Sequence, residues 1–224
     1  LPKLSKYVYL KKKEKILLIQ NKALELSMFL SLPATAALII GSEEIISALF
    51  GYGSFVEKSV INSSKALYFF ALGLPAFALI KVFSSFFFAN QNTKTPFYIS
   101  FTSVILNITI SLYYFKHIGF IIIPIATSLS SWFNALILFI FLKKEKLFNF
   151  NKIFIINFLK IVFSSILMGF VFEYLITNFE NKLVYNHNLK FFYLIFCVIL
   201  GFLSYLLITF LIKAFNYKDL KLKY

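Results

Sequence analysis

The stretch GLPAFALIKVFSSFFFANQNTKTP, residues 73–96, is apolar as far as Ala89 and polar afterwards. Its apolar part continues upstream to Ala66, which gives a run long enough for a helix to cross a hydrocarbon layer of about 30 Å, since about 20 residues are needed. Lys81 interrupts this run, and residues 73–96 contain no Asp or Glu that could pair with it. The stretch therefore predicts a membrane-spanning helix that carries a charge along its apolar length.

The whole chain shares this apolar character. Of its 224 residues, 60% are hydrophobic and 31 are Phe, which is more than a soluble domain can cover with polar surface. None of the apolar runs alternates as a barrel strand does, and helices satisfy their own backbone hydrogen bonds inside a bilayer. We therefore predict an all-α integral membrane protein with six transmembrane helices, at residues 24–40, 66–89, 96–115, 118–142, 153–177 and 191–212.

The distribution of lysines orients the predicted helices. If every run spans the membrane, the segments before the first run, after the second, after the fourth and after the sixth all lie on one side, and they hold most of the lysines. Cytoplasmic loops carry an excess of Lys and Arg, so both ends of the chain are predicted to be cytoplasmic. The loops 41–65, 116–117 and 178–190 then lie on the opposite, external side.

These assignments divide the chain into four segments. They are a basic cytoplasmic loop with an interfacial helix, four spans, two last spans and a basic cytoplasmic tail, at residues 1–22, 23–146, 147–215 and 216–224. A short helix is expected at residues 42–50, because Glu43 and Glu44 favour a helix N-terminus. The sequence begins without Met or a signal-like region, so we expect it to be the interior of a longer chain.

The residues that carry chemistry exclude most enzymes. His117 and His187 fall in or beside the predicted external loops without an acidic or Cys partner nearby, so neither a metal site nor a nucleophile–base pair is indicated. The formal net charge of +14 includes 23 lysines and no Arg, and lysines beside apolar runs are better explained by anionic lipid headgroups than by nucleic acid. We predict a protein that is not an enzyme and has no cofactor, metal or nucleic-acid partner.

Polar residues inside the third and fourth predicted spans form two stripes at helical spacing. Small and amide side chains are common at helix contacts in membranes, so the stripes fit an interhelical contact, and a transport path is the alternative. Asn107 and Asn134 are the candidates for a substrate cavity. Gly169 and Gly201 are expected to let the fifth and sixth runs approach closely. The stripes consist of Ser103, Asn107 and Ser111, and of Thr127, Ser131 and Asn134.

Lys81 lies deep in the second predicted span. About eight residues separate it from the cytoplasmic end near Ala89, or about 12 Å at a rise of 1.5 Å per residue, so its stem reaches the interface only with difficulty. A charge near the bilayer midplane costs about 2.5–3.5 kcal/mol, which favours a wet environment lined by protein over lipid. From the residues alone, a functional lysine and a structural lysine both remain open.

Several stretches occur in the order found in one transporter family. LPKLSK, LPATAALI, FGYGSF, LPAFALIKVFSSFFFANQNTKTP, SVILNI and HIGFIIIPIATSLSSWFNA follow one another along the chain. They resemble the MurJ/MviN family, the lipid II flippases of the multidrug/oligosaccharidyl-lipid/polysaccharide exporter superfamily, from the start of the chain to about Lys146. The resemblance implies that the six predicted spans are the last six of a fourteen-helix flippase.

The resemblance also implies a function. Family members move the undecaprenyl-pyrophosphate-linked peptidoglycan precursor from the cytoplasmic to the periplasmic leaflet of the bacterial inner membrane by alternating access, through a cationic cavity between two lobes. The implied partners are this precursor, membrane lipids and an N-terminal lobe of the same chain. Lys81 falls on the family's lysine in this span, and the last two spans fall on its lipid-tail groove. The family's signature loop is matched by Gln91, Thr93, Lys94, Thr95 and Pro96.

The chain departs from the family pattern in this loop. Asn90 and Asn92 stand where the family commonly has a basic residue and Asp, so amides replace a loop ion pair. Two alternatives to a lipid II flippase stay open. One is another exporter of the superfamily that carries a different polyprenyl-linked glycan, and the other is a non-transporting membrane scaffold or lipid-binding protein.

Overall fold

The computed structural model describes residues 2–214. No strand occurs among these residues, which confirms the predicted all-α class. A 3-10 turn, Gly119–Ile121, joins the fifth helix to the sixth. The helices are α1 (Pro2–Tyr9), α2 (Lys13–Ile40), α3 (Ser42–Phe50), α4 (Glu57–Ala89), α5 (Lys94–Ile118), α6 (Ile122–Lys144), α7 (Lys152–Asn178), α8 (Glu180–Leu183) and α9 (Lys190–Leu211).

Five helical segments of the described chain are long and apolar enough to cross a membrane, as expected for an integral membrane protein. One of them, Lys94–Lys144, has 51 residues. As a straight helix it would measure about 77 Å, more than twice the thickness of the hydrocarbon layer. It contains α5 and α6, where the sequence predicts two separate spans. The other four are Lys13–Ile40, Glu57–Ala89, Lys152–Asn178 and Lys190–Leu211.

Helices α5 and α6 fold back on each other as an antiparallel hairpin. Asn107 Nδ2, in the middle of α5, lies 3.0 Å from Thr127 Oγ1 of α6. Ser100 Oγ, earlier in α5, lies 3.4 Å from Nδ2 of Asn134, later in α6, which is the pairing order of antiparallel helices. Gly119 begins the reversal with a φ of 75°, a conformation that glycine adopts without strain. The two helices have 25 and 23 residues, each long enough to cross a membrane.

The described chain forms two compact units. The first comprises the chain up to Ser31 together with Phe69–Ile155, and the second comprises Leu32–Tyr68 and the chain from Ile156 onward. Helices α2, α4 and α7 each contribute residues to both units. The four segments predicted from the sequence were defined by membrane topology and not by compact units, so they stay a prediction.

An aromatic cluster lies in the first unit, at the place where the loop after α6 packs against α4. The rings of Phe83 and Phe86 lie 6.3 and 5.6 Å from the ring of Phe148, which lies 5.0 Å from that of Phe150. Phe86 and Phe148 are almost completely buried. Aromatic pairs at such distances contribute about 0.5–1.5 kcal/mol each beyond the area that they bury. The cluster therefore holds the loop against the helices.

Two amide side chains of α2 dock the same loop. Gln20 Nε2 donates to the Leu147 carbonyl, Asn21 Nδ2 donates to the Asn149 carbonyl, and Asn21 Oδ1 accepts from the N–H of Asn151, each at 3.0 Å. Helix α2 runs unbroken through this region because no Gly or Pro precedes Pro33 within it. The predicted interfacial helix and the first predicted span are thus parts of one helix.

Small residues let helices of the second unit pack closely. A Cβ added to Gly201 of α9 would lie 3.2 Å from the Phe172 side chain of α7, which confirms the close approach predicted for the fifth and sixth runs. The same prediction is wrong for Gly169, because its nearest neighbour is Ile40 of α2. Met168 and Phe172, rather than Gly169, fill the side of α7 that faces Gly201.

The predicted short helix at residues 42–50 is confirmed as α3. Glu43 and Glu44 lie in its first turn, where the helix dipole favours negative charge. Burial raises the pKa of Glu44 above its ordinary value, and the charges of Glu43 and Glu180 raise it further. The Glu44 carboxylate is therefore destabilised by its surroundings despite its place at the start of the helix.

Candidate functional site

The signature loop joins α4 to α5 through a helix C-cap. The N–H of Asn92 donates to the Phe87 carbonyl and the N–H of Gln91 donates to the Phe88 carbonyl, both at 3.0 Å. This pair of bonds is a Schellman motif, in which the residue after the helix cap is left-handed. Gln91 occupies that place with a φ of 59°, where glycine is usual. Its side chain is exposed.

The rest of the loop builds the start of α5. Asn92 Oδ1 accepts from the N–H of Thr95 at 3.1 Å, and Asn92 Nδ2 donates to Thr95 Oγ1 at 3.0 Å. Pro96 is buried in the first turn, where the missing N–H removes no helical hydrogen bond. Thr93 and Lys94 are exposed. The amide of Asn92 therefore caps the helix, and the turn is hydrogen-bonded without a loop ion pair.

Asn107 lies at the contact between α5 and α6. Its Nδ2 donates to Thr127 Oγ1 at 3.0 Å and to Ser130 Oγ at 3.2 Å. Ser130 is absent from the predicted stripe, yet it shares a face of α6 with Thr127 because the two are three residues apart. A stripe of polar residues shows which face of a helix makes a contact, but it does not show how the partner helix is aligned along that face. The observed geometry is that of an interhelical contact.

Asn134 is the second amide of this contact, and it is nearly fully buried in α6. Its Nδ2 lies 3.4 Å from Ser100 Oγ, a weak hydrogen bond. Its Oδ1 and the Oγ of Ser111 are buried and have no hydrogen-bond partner within residues 2–214. A buried polar atom left unpaired costs about 1–3 kcal/mol, so these two atoms are places where water or a polar group would be stabilised.

Two side chains of α6 bond to the backbone of α4. Ser128 Oγ donates to the Phe69 carbonyl, and Trp132 Nε1 donates to the Leu72 carbonyl at 2.9 Å. Pro75, one turn further along α4, removes one helical hydrogen bond from this region. The α6 side chains thus brace α4 where its own hydrogen bonding is interrupted. The sequence showed the proline, but nothing in the sequence identified Ser128 and Trp132 as partners of α4.

Lys81 points away from the packed side of α4. It is exposed together with Phe77, one turn earlier, and Phe88, two turns later on the same face. Phe83 and Phe87, on other faces of the helix, are buried. Within residues 2–214 the Lys81 ammonium has no hydrogen bond or ion pair. Its three N–H donors are therefore free to bind an acceptor outside these residues.

The three polar candidates do not form one hydrogen-bonded site. Asn107 and Asn134 both face the contact between α5 and α6, whereas Lys81 lies on an exposed face of α4. No group of three or more His, Cys, Asp or Glu that could hold a metal occurs in the described part of the chain. Lys81 is thus a cation without a partner in the described residues and can attract an anion, whereas Asn107 and Asn134 belong to a polar contact inside the hairpin.

The second unit contains an open apolar pocket beside the start of α9. Its volume is about 480 Å³, and its lining residues are Phe179, Leu189, Phe192, Tyr193 and Phe196, all uncharged. The ring of Phe179 lies 5.7 Å from that of Tyr193 and 5.8 Å from that of Phe196. Aromatic walls of this kind fit hydrocarbon better than a polar ligand.

Several known proteins similar to this chain are described as lipid II flippases. The family model described as "Lipid II flippase MurJ" matches residues 1–196. A protein of Rickettsia prowazekii (strain Madrid E), named "Probable lipid II flippase MurJ", is 32% identical over 206 residues, which cover 90% of this chain and 40% of that protein. A protein of Thermotoga maritima with the same name is 33% identical over 187 residues, which cover 84% of this chain and 36% of that protein.

A solved structure is similar in fold as well. It is titled "Lipid II flippase MurJ, inward closed conformation", and it matches 97% of this chain and 42% of its own length with a TM-score of 0.75 and 31% sequence identity. The chain thus spans about two fifths of the length of these relatives. The matched residues 1–196 extend past α8 into α9, so they include the signature loop, the α5–α6 hairpin and Lys81.

Proposed function

The chain belongs to the MurJ family of lipid II flippases, and from this premise we propose that it forms part of a flippase for the undecaprenyl-pyrophosphate-linked peptidoglycan precursor. The substrate moves from the cytoplasmic to the periplasmic leaflet of the bacterial inner membrane by alternating access. The chain acts as a transporter and not as an enzyme. Its partners are the precursor, the surrounding lipids and an N-terminal lobe of the same protein.

The proposed topology has six crossings with both ends in the cytoplasm. The antiparallel α5–α6 hairpin supports it, because the hairpin provides two crossings where the apolar segment is continuous. The exposed lysines Lys143 and Lys144 in the last turn of α6, and Lys146 just after it, support it as well, since this topology puts them on the same side as the basic start of the chain. The six crossings then correspond to the last six of fourteen.

In the proposed mechanism Lys81 attracts the pyrophosphate. Support comes from its exposed ammonium, which has no partner in the described residues although it lies within the apolar length of α4. A unit charge 4 Å from an anion gains about 4 kcal/mol at an effective dielectric constant near 20. In lipid the same charge would cost about 2.5–3.5 kcal/mol near the bilayer midplane. Lys81 therefore faces a water-filled cavity rather than lipid.

The open apolar pocket beside α9 receives part of the lipid tail in this proposal. Its uncharged walls and its volume of about 480 Å³ support this role. Photo-crosslinking amino acids placed at Phe192 and Phe196 of the whole protein should capture a polyprenyl lipid. Capture of ordinary phospholipid alone, unchanged when the precursor pool is depleted, would argue against the assignment.

Complementation of a flippase-depleted bacterium tests the role of Lys81. Lys81→Met keeps most of the stem and removes the charge, so it should lower transport at least about tenfold at normal membrane abundance, as expected if a few kcal/mol of electrostatic attraction are lost. Lys81→Arg should retain substantial activity because it keeps the charge. The matched control is Lys65→Met, which removes an exposed lysine from the same helix outside its apolar length.

Two outcomes decide the proposal. If Lys81→Met complements as well as Lys65→Met at equal abundance, Lys81 is a tolerated charge and not a substrate ligand. If the unaltered protein fails to replace a lipid II flippase and moves no lipid-linked precursor in reconstituted vesicles, a non-transporting membrane scaffold replaces the flippase as the function.

A further inference from the structure

Lys190 is a buried cation at the start of α9. Only 1% of its surface is exposed, although its place at the end of a predicted external loop would suit a solvated lysine. Its Nζ donates to the carbonyl of Gly51 and to the carbonyl of Tyr185, each at 2.7 Å. Both distances are short, as expected for hydrogen bonds from a charged donor.

Two aromatic rings complete the surroundings of this ammonium. The Lys190 Nζ lies 4.3 Å from the centroid of Tyr52 and 4.6 Å from that of Tyr185. Tyr185 also donates its hydroxyl to the Phe55 carbonyl at 2.9 Å. All of these contacts are to neutral groups, so carbonyl dipoles and ring faces rather than a carboxylate stabilise the buried charge.

The contacts tie three segments together. Gly51 caps the C-terminal end of α3, where the helix dipole favours a cation, whereas the N-terminus of α9 itself does not. Tyr185 belongs to the segment between α8 and α9, and Phe55 belongs to the turn after α3. A Cβ on Gly51 would lie 3.0 Å from Lys190 Nζ and 2.5 Å from the Ser47 carbonyl, so the cation and the helix end meet at a residue without a side chain.

We propose that Lys190 is a positioning residue that clamps the turn 51–56 and the end of α3 to the beginning of α9, so that these parts move as one body. A buried charge has a large cost unless it is hydrogen-bonded, so the ammonium stays in place only while the carbonyls of Gly51 and Tyr185 and the two rings surround it. Breaking any one side releases the turn. The clamp does not depend on which lipid the protein moves.

Hydrogen exchange measured by mass spectrometry on the whole protein in lipid nanodiscs tests the clamp. Lys190→Met keeps the apolar stem and removes the ammonium, and it should accelerate exchange of the amides in residues 51–56 and 185–189 at least about tenfold. Lys182→Met is the matched control, since it removes an exposed lysine from the neighbouring α8 and should leave both peptides unchanged. Exchange in α6 should stay the same in both variants.

A second variant keeps the test decisive if Lys190→Met yields too little folded protein to measure. Tyr52→Leu leaves the charge and the carbonyls but removes one ring, and it should accelerate exchange in the same two peptides by a few fold. The proposal is overturned if either variant that folds exchanges in residues 51–56 within about twofold of Lys182→Met. Because the readout requires no transport, a failure here is distinct from a failure of the flippase assignment.

Discussion

Removing the amide of Asn107 distinguishes an interhelical contact from a transport path. Asn107→Ala deletes the two hydrogen bonds to Thr127 and Ser130. Hydrogen bonds between membrane helices contribute about 0.6 kcal/mol on average and up to about 1.7 kcal/mol, so the loss should be about 1–2 kcal/mol. No further penalty arises from the partners, because the Thr127 hydroxyl still donates to the Ile123 carbonyl and that of Ser130 to the Thr127 carbonyl.

The measurement is the free energy of reversible unfolding in bicelles, and a double-mutant cycle makes it specific. Asn107→Ala, Thr127→Val and the double variant should give a coupling energy of about 0.5–1.5 kcal/mol for the pair. Thr109→Ala is the matched control on the exposed side of α5, since within residues 2–214 its hydroxyl bonds only to the carbonyl of Ile105 in its own helix. This control should change the unfolding free energy by no more than about 0.5 kcal/mol.

Transport per folded molecule completes the test. If Asn107 only holds the hairpin together, Asn107→Ala should transport normally once the amount of folded protein is matched. An unfolding free energy equal to that of Thr109→Ala, combined with a large loss of transport per folded molecule, would refute the contact interpretation. That result would place Asn107 on the path of the substrate.

Three further predictions concern single positions. Gln91→Gly should raise the melting temperature, because a left-handed φ of 59° costs a residue other than glycine roughly 1 kcal/mol, and an unchanged or lower value would contradict it. Glu44→Gln should be more stable than the unaltered protein near neutral pH, because the raised pKa of Glu44 makes its ionisation destabilising as pH rises above 4.5. Well below pH 4.5, where Glu44 is protonated, the two proteins should be equally stable. A stability difference that grows on acidification would exclude this effect. Ser54→Cys should react with a membrane-impermeant thiol reagent in intact cells and Asn149→Cys should not, and the reverse labelling would invert the proposed topology.

The helices could be predicted from the sequence because long apolar runs without alternation leave few other solutions in a membrane. Their starts could not. Helix α4 begins at Glu57, nine residues before the predicted run at Ala66, and α2 begins at Lys13 because the predicted interfacial helix continues into the first predicted span. Hydropathy marks the part of a helix that is apolar, whereas helix length is set by caps and breakers, so the polar first turns of α4 were missed and the polar start of α2 was not joined to its span.

The partners of the candidate residues could not be predicted for a different reason. The spacing of Asn107 placed it on a polar face, and the structure places that face against α6, but the spacing could not select Ser130 over Ser131 as its partner. Trp132 was not predicted to bond to α4, because its indole reads as one more large side chain in an apolar run. Such pairs depend on the register of two helices, which a single chain pattern does not contain.

Lys81 and Lys190 show how far the surroundings of a charge decide its role. In the sequence both are single lysines beside apolar residues, and Lys81 drew attention because it lies deep inside its run, whereas Lys190 lies at the edge of one. In the structure Lys190 uses two of its three donors on carbonyls and lies between two rings, so its charge is already stabilised and is not available to a substrate. The Lys81 ammonium is exposed, with all its donors free among the described residues, and an anion gains most from a cation that nothing else has paired. Neutralising Lys81 should therefore affect transport before stability, and neutralising Lys190 should affect local structure before transport.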